Sequence, residues 1–190
     1  MTFDLGCVDY QANRTVMREV QISYLVEYPE YIPQLGHWLF EQWGTILGEA
    51  DPAARIRKLE THLNRDELPI AWVAHENGRL LGTAALRVHD LDGCEDLTPW
   101  LGGVFVGADF RGRGIGGALC SAVEEGARSR RIETLYLFTL DRREWYARLG
   151  WTVLAPCVWQ HRAGEILHDS DVERSGRGVA LGRDRQSRHV

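Results

Sequence analysis

Residues 104–117 restrict this chain to few folds. They read Val104-Phe105-Val106-Gly107-Ala108-Asp109-Phe110-Arg111-Gly112-Arg113-Gly114-Ile115-Gly116-Gly117. An apolar strand ends, a short loop follows, and a helix begins among glycines. Amides at a helix start have no intrahelical partner and lie at the positive end of the helix dipole. Glycine lets an anion approach those amides and permits backbone angles that other residues resist. Arg111 and Arg113 add positive charge. The combination is an anion site suited to a phosphate or pyrophosphate.

Two kinds of phosphate site fit poorly. A Walker loop requires a lysine followed by a hydroxyl residue, and none follows these glycines. The dinucleotide pattern G-x-G-x-x-G is matched by Gly112, Gly114 and Gly117. In that fold, however, the first glycine follows the strand almost at once and an acid ends the next strand. Here residues 107–111 intervene, and Glu133 precedes its strand.

The surrounding pattern predicts one layered α/β domain. Residues 21–28 alternate as a strand does. Ile32, Leu35, Leu39, Trp43 and Ile46 recur at helical spacing, and Gly48 ends that helix. Asp51-Pro52 opens a second helix whose inner face is Ile56, Leu59 and Leu63. Strands over 70–75 and 80–88 flank Asn77-Gly78, a pair that favours a tight hairpin. A polar loop over 90–96 leads to a strand over 100–106, in which Gly102-Gly103 marks a bulge. A helix carries Ile115, Ala118, Leu119, Ala122 and Val123 on one face. A strand over 134–139, a short helix over 143–149 and a strand over 152–159 follow, and the segment after Gly164 has room for one more strand. Hairpins before a strand–helix–strand unit imply a mixed sheet with helices on both faces.

Composition narrows the function classes. At 190 residues, the chain fits one domain with a full core. Its net charge of −5 argues against a general nucleic-acid binder. No apolar run approaches the ~20 residues that span a bilayer. Cys7, Cys94, Cys120 and Cys157 are scattered and read as reduced thiols of a cytoplasmic protein. His161, His168, Asp169 and Asp171 match no standard metal spacing. Residues 1–20 read as an N-terminal extension, and residues 171–190, rich in Gly, Arg and Ser, as a disordered tail.

The run Arg111-Gly112-Arg113-Gly114-Ile115-Gly116 resembles the signature [RQ]-x-x-G-x-[GA] of motif A in the GNAT superfamily of N-acetyltransferases. A second block, Trp145-Tyr146-Ala147-Arg148-Leu149-Gly150-Trp151, is similar to that superfamily's F-Y-x-x-x-G-F segment. The two blocks stand in the family's order, separated by a helix and a strand, and the resemblance covers roughly residues 21–160.

The resemblance implies a mainly antiparallel mixed sheet that splays between the motif A strand and the strand over 135–139. It implies acetyl-CoA as acyl donor and a small-molecule or peptide amine as acceptor, with no metal, in a monomer or homodimer. The amides of Arg111, Gly112, Arg113, Gly114, Ile115, Gly116 and Gly117 would then cradle the pyrophosphate. The main chain of Val104 and Val106 would pair with the pantetheine arm, and an amide near Val104 or Phe105 would polarise the thioester carbonyl. Tyr146 would serve as general acid toward the leaving thiolate. Thr139 and Arg143 would lie near the cofactor, although many relatives carry an asparagine near Thr139. The base that deprotonates the amine stays open among Glu41, His37, His75, His89, Glu95, Asp96 and a water relay. A non-catalytic acyl-CoA sensor is the alternative reading.

Overall fold

The computed structural model describes residues 19–169. The expected extension (1–20) and tail (171–190) therefore lie almost wholly outside the described residues, as do Cys7 and Asp171.

Seven strands form one mixed sheet in the order β1-β2-β3-β4-β5-β7-β6. They are β1 (Gln21–Tyr24), β2 (Ile70–Glu76), β3 (Arg79–Arg87), β4 (Trp100–Val106), β5 (Leu135–Thr139), β6 (Thr152–Trp159) and β7 (Arg162–Asp169). Every neighbouring pair is antiparallel except β4 and β5. Four helices cover the sheet: α1 (Ile32–Leu39), α2 (Ala53–Glu60), α3 (Ile115–Ser129) and α4 (Arg143–Arg148). The core beneath α3 and α4 contains Leu81, Leu101, Ile115, Leu119, Val123, Leu137, Tyr146 and Trp151. A second core beneath α1 and α2 contains Leu25, Leu35, Leu39, Leu59, Val73 and Ala85. Helices therefore lie on both faces, as the patterning predicts.

Three elements depart from expectation. The first strand stops at Tyr24 because the next residues curl into two 3₁₀ turns, which bury Leu25 and Tyr31. The first helix does not run unbroken to Ile46: after Leu39 it widens into a π turn over Phe40–Gly44. At Gly44 a side chain would meet the Phe40 ring at 2.4 Å, so glycine permits that turn to close. The last strand begins at Arg162, before Gly164, and inserts between β5 and β6. Gly164 lets it lie against β5, since a Cβ there would stand 2.6 Å from the Thr139 carbonyl oxygen.

The sheet opens where β4 meets β5. The two strands pair at Trp100 and Tyr136, and no further register continues along them. β4 is itself irregular at this point: against β3, Thr83 faces Phe105 and Ala85 faces Gly102. Two residues, Gly103 and Val104, thus oppose the single Ala84. This is a β-bulge, and Gly103 takes the left-handed conformation it requires, with φ +62°. The bulge turns β4 away from β5 and leaves a wedge between them.

Candidate active site

The wedge leads into the glycine turn. Beyond β4, a 3₁₀ turn over Ala108–Phe110 buries Phe110, and Arg111 is extended. Gly112 and Gly114 both adopt left-handed backbone, with φ of +77° and +78°. The first backbone bond of α3 runs from the Ala118 amide to the Gly114 carbonyl. The amides of Ile115, Gly116 and Gly117 precede it and take no backbone acceptor among the described residues. Ile115 anchors this end of α3 in the core at 1% exposure. Gly116 has a packing role as well, because its Cβ would stand 3.2 Å from the Trp145 ring.

The arginines of the turn are both engaged. Arg111 Nε donates to the Val106 carbonyl at 3.0 Å, tying the turn to the end of β4. Arg113 reaches sideways to Glu76 on β2, with Nη2 2.9 Å from Oε1. The side chains of β4 alternate as a strand dictates. Val104 and Val106 pack toward α3, and Phe105 lies against Trp38 and Trp43 on the other face.

Tyr146 sits on α4 in the core beside the wedge, 9% exposed. Its ring meets Trp145 and Trp151 edge-on, at centroid distances of 4.7 and 6.3 Å. Burial first, then the Cys120 thiol and the Asp90 carboxylate, push the phenol above its ordinary value. The group therefore keeps its proton across the physiological range. Thr139 is buried at the end of β5 and its hydroxyl accepts the Arg142 amide at 3.0 Å, so it supports the turn into α4. Arg143, at the start of α4, is exposed and pairs with Glu165 on β7 at 3.1 Å.

The proposed bases scatter. Glu41 is exposed on the π turn and lines a pocket of ≈ 350 Å³ with Trp38, Phe105 and the 107–111 loop. His37 is exposed and does not line it; α1 and the π turn contribute Gln34, Trp38, Glu41 and Gln42 instead. His75 is a packed core histidine: its Nε2 lies 3.0 Å from Ser23 Oγ and its ring 4.3 Å from that of Tyr28. His89, Glu95 and Asp96 are exposed in the β3–β4 loop, where Glu95 accepts the Gly93 amide.

A second polar group escaped the sequence reading. Arg87 and Asp90 form a close ion pair, with only 13% of either side chain exposed. The pair lies flat on β4: a Cβ at Gly102 would come within 2.5 Å of Asp90 Oδ2, and one at Gly103 within 2.6 Å of Arg87 Nη2. α2 adds Arg55 and Lys58, and the turn after it adds His62. The available signal was parity, since Arg87 shares a strand face with the core residue Ala85. Along α2 and the turn after it, Ile56, Leu59 and Leu63 face the core as the spacing predicts, and Arg55 is buried beside them.

Burial first, then the Arg87 guanidinium, lowers His62 from 6.5 to about 4. The folded protein thus binds this proton more weakly than the unfolded chain. The stability is whole above pH 6.5 and falls as pH drops toward 4, by on the order of 3 kcal/mol. His62→Gln is expected to flatten that decline in urea unfolding between pH 4 and 7. An unchanged slope would remove His62 as its source.

Known proteins share this fold. The model of the Acetyltransferase (GNAT) family matches residues 21–151. An aminoglycoside 6'-N-acetyltransferase complexed with coenzyme A is 19% identical, with TM-score 0.63, over 79% of this chain and 96% of that one. The aminoglycoside 6'-N-acetyltransferase from Enterococcus faecium is 20% identical, with TM-score 0.62 and the same coverage. A Salmonella typhimurium protein assigned as an acetyltransferase, solved with its cofactor acetyl-CoA, is 18% identical, with TM-score 0.61, over 85% and 99%. No protein of curated function matches the sequence significantly.

Proposed function

From the chain's membership of the GNAT acetyltransferase family, we propose that it is an N-acetyltransferase that moves the acetyl group of acetyl-CoA to a primary amine by direct attack. The observation that carries this reading is the wedge itself: a bulged β4 diverges from β5 and ends at a helix start with three uncommitted amides. A pyrophosphate suits those amides, and a pantetheine arm suits the open edge of β4 as an added strand. Arg111 supports the turn through Val106, while Arg113 acts on the approaching charge at longer range from its pair with Glu76.

In the proposed reaction, the amine nitrogen bonds to the thioester carbon, and the β4 amide near Val104 or Phe105 steadies the developing oxyanion. The carbon–sulfur bond then breaks. The leaving sulfur takes the proton of Tyr146, and the attacking nitrogen gives up its own to a base or water. Glu41 is the proposed base that lines the pocket of the α1 face. We place the reaction in the cytoplasm, consistent with free thiols at Cys94, Cys120 and Cys157.

The test is to incubate the protein with acetyl-CoA and single amines, following free thiol and product mass. Acceptor-dependent thiol release is expected. Coenzyme A binding without turnover over a broad panel would favour the sensor instead, and thermal stabilisation by NADH alone would overturn both.

A further inference from the structure

The Arg87–Asp90 pair occupies a telling place. It rests on Gly102 and Gly103, at the bulge where β4 leaves β5, on the face covered by α1 and α2. Tyr146 approaches the same region from the other face and feels the Asp90 carboxylate. A thioester seated at the bulge would have the phenol on one side and this pair on the other.

The charges around the pair do not balance. Lys58 responds to Arg87, Arg55, Asp90 and Glu49, and His62 to Arg87, Lys58 and Asp90, so the groups share one electrostatic neighbourhood. Arg55 is held by Glu49 at 2.8 Å, and Arg87 by Asp90. Lys58 is the cation left over, in surroundings that lower its ammonium through burial first and then through Arg87 and Arg55. His62 is neutral at pH 7 and adds nothing to the sum.

Hydrogen bonding is incomplete in the same place. Arg55 Nη2 and Arg87 Nε are buried without a partner among the described residues. Arg55 is 6% exposed and His62 3%. His62 Nδ1 lies 2.8 Å from the Lys58 carbonyl, which only accepts, so Nδ1 carries the proton. Nε2 is then a bare acceptor, also unpartnered. Buried polar atoms are ordinarily satisfied, and a cluster of exceptions is a place prepared for something else. Two cationic donors and a spare ammonium complement a carboxylate; a bare imidazole nitrogen beside them complements an N–H.

We infer that Lys58, Arg55 and Arg87 form a carboxylate subsite beside the thioester position, so that the acceptor is an amine that also carries a carboxylate, as an amino acid does. The inference rests on the acyl-transfer reading above. It also excludes a class: a polycationic acceptor would bring further positive charge to a site already in excess. Positive surroundings favour the neutral form of an incoming amine, which is the form that attacks.

Lys58 is the residue to change, because its loss leaves the Arg55–Glu49 and Arg87–Asp90 pairs intact. The full chain and its Lys58→Gln variant are assayed with acetyl-CoA and matched acceptors: free amino acids, their carboxamides, spermidine and kanamycin. The acid of the best pair is expected to exceed its amide at least about 30-fold in kcat/KM, the scale of a charge-assisted bond. Lys58→Gln should narrow that ratio about tenfold and leave the KM for acetyl-CoA within about twofold. Equal use of acid and amide, or a preference for spermidine or kanamycin, would overturn the subsite while leaving acyl transfer standing. Should no amine react, acyl transfer itself fails, and the subsite is read by calorimetry. N-acetyl amino acids then bind the coenzyme A complex and lose affinity in Lys58→Gln if it exists; absence of such binding overturns it.

Discussion

Replacing Gly112 and Gly114 together by alanine is expected to lower coenzyme A affinity about 30- to 1,000-fold. Both residues are left-handed, at φ +77° and +78°. A side chain in that conformation costs about 1–2 kcal/mol at each position, or about 2–4 kcal/mol for the pair. Each 1.4 kcal/mol is about tenfold in binding. The loop is exposed from Arg111 to Gly114, so the chain escapes the strain by changing the path of the loop rather than by unfolding. That rearrangement displaces the amides of Ile115–Gly117 from the position proposed for the pyrophosphate. Titration with coenzyme A reads the loss, and thermal unfolding shows whether the domain stays intact. An affinity equal to that of the unchanged protein would mean that the turn does not hold the pyrophosphate.

The second large effect is on turnover. Tyr146→Phe is expected to lower kcat about 10²- to 10⁴-fold, the range of a lost general acid, with coenzyme A affinity within about twofold. The ring keeps its contacts with Trp145 and Trp151 in the variant, so α4 and the wedge retain their shape. The phenol is raised by burial and by the neighbouring Cys120 and Asp90. It therefore stays protonated through neutral pH, and the alkaline limb of the wild-type rate profile should not report its ionisation there. A rate unchanged in Tyr146→Phe would remove the residue from the mechanism. A loss of affinity matching the loss of rate would make its role structural.

Much of this architecture could be read locally. The hairpin at Asn77-Gly78, the bulge at Gly102-Gly103 and the helix opening at Gly114 each depend on a few adjacent residues. The proposed anion site was legible for the same reason, since its donors are consecutive amides. The acceptor side was not. Glu41 lines a pocket and His37 does not, although four residues separate them, because the other wall is Phe105 and the 107–111 loop, which come from a distant part of the chain. Nor did the sequence show that the Thr139 hydroxyl accepts the Arg142 amide or that Arg143 pairs with Glu165, because both contacts depend on how β5, α4 and β7 meet.

The sequence alone determined the glycine turn, its strand–helix setting and the family these imply. Backbone conformation and amide direction are short-range properties written in glycines and apolar spacing. Only the tertiary structure decided which charges meet at the bulge. Arg87 and Asp90 come from β3 and its following loop, Lys58 from α2, His62 from the turn after it, and Gly102-Gly103 from β4. Their meeting depends on strand register and on how α2 packs across the sheet. Those are set by the burial of the whole core, and burial is a sum over distant residues that no local pattern records.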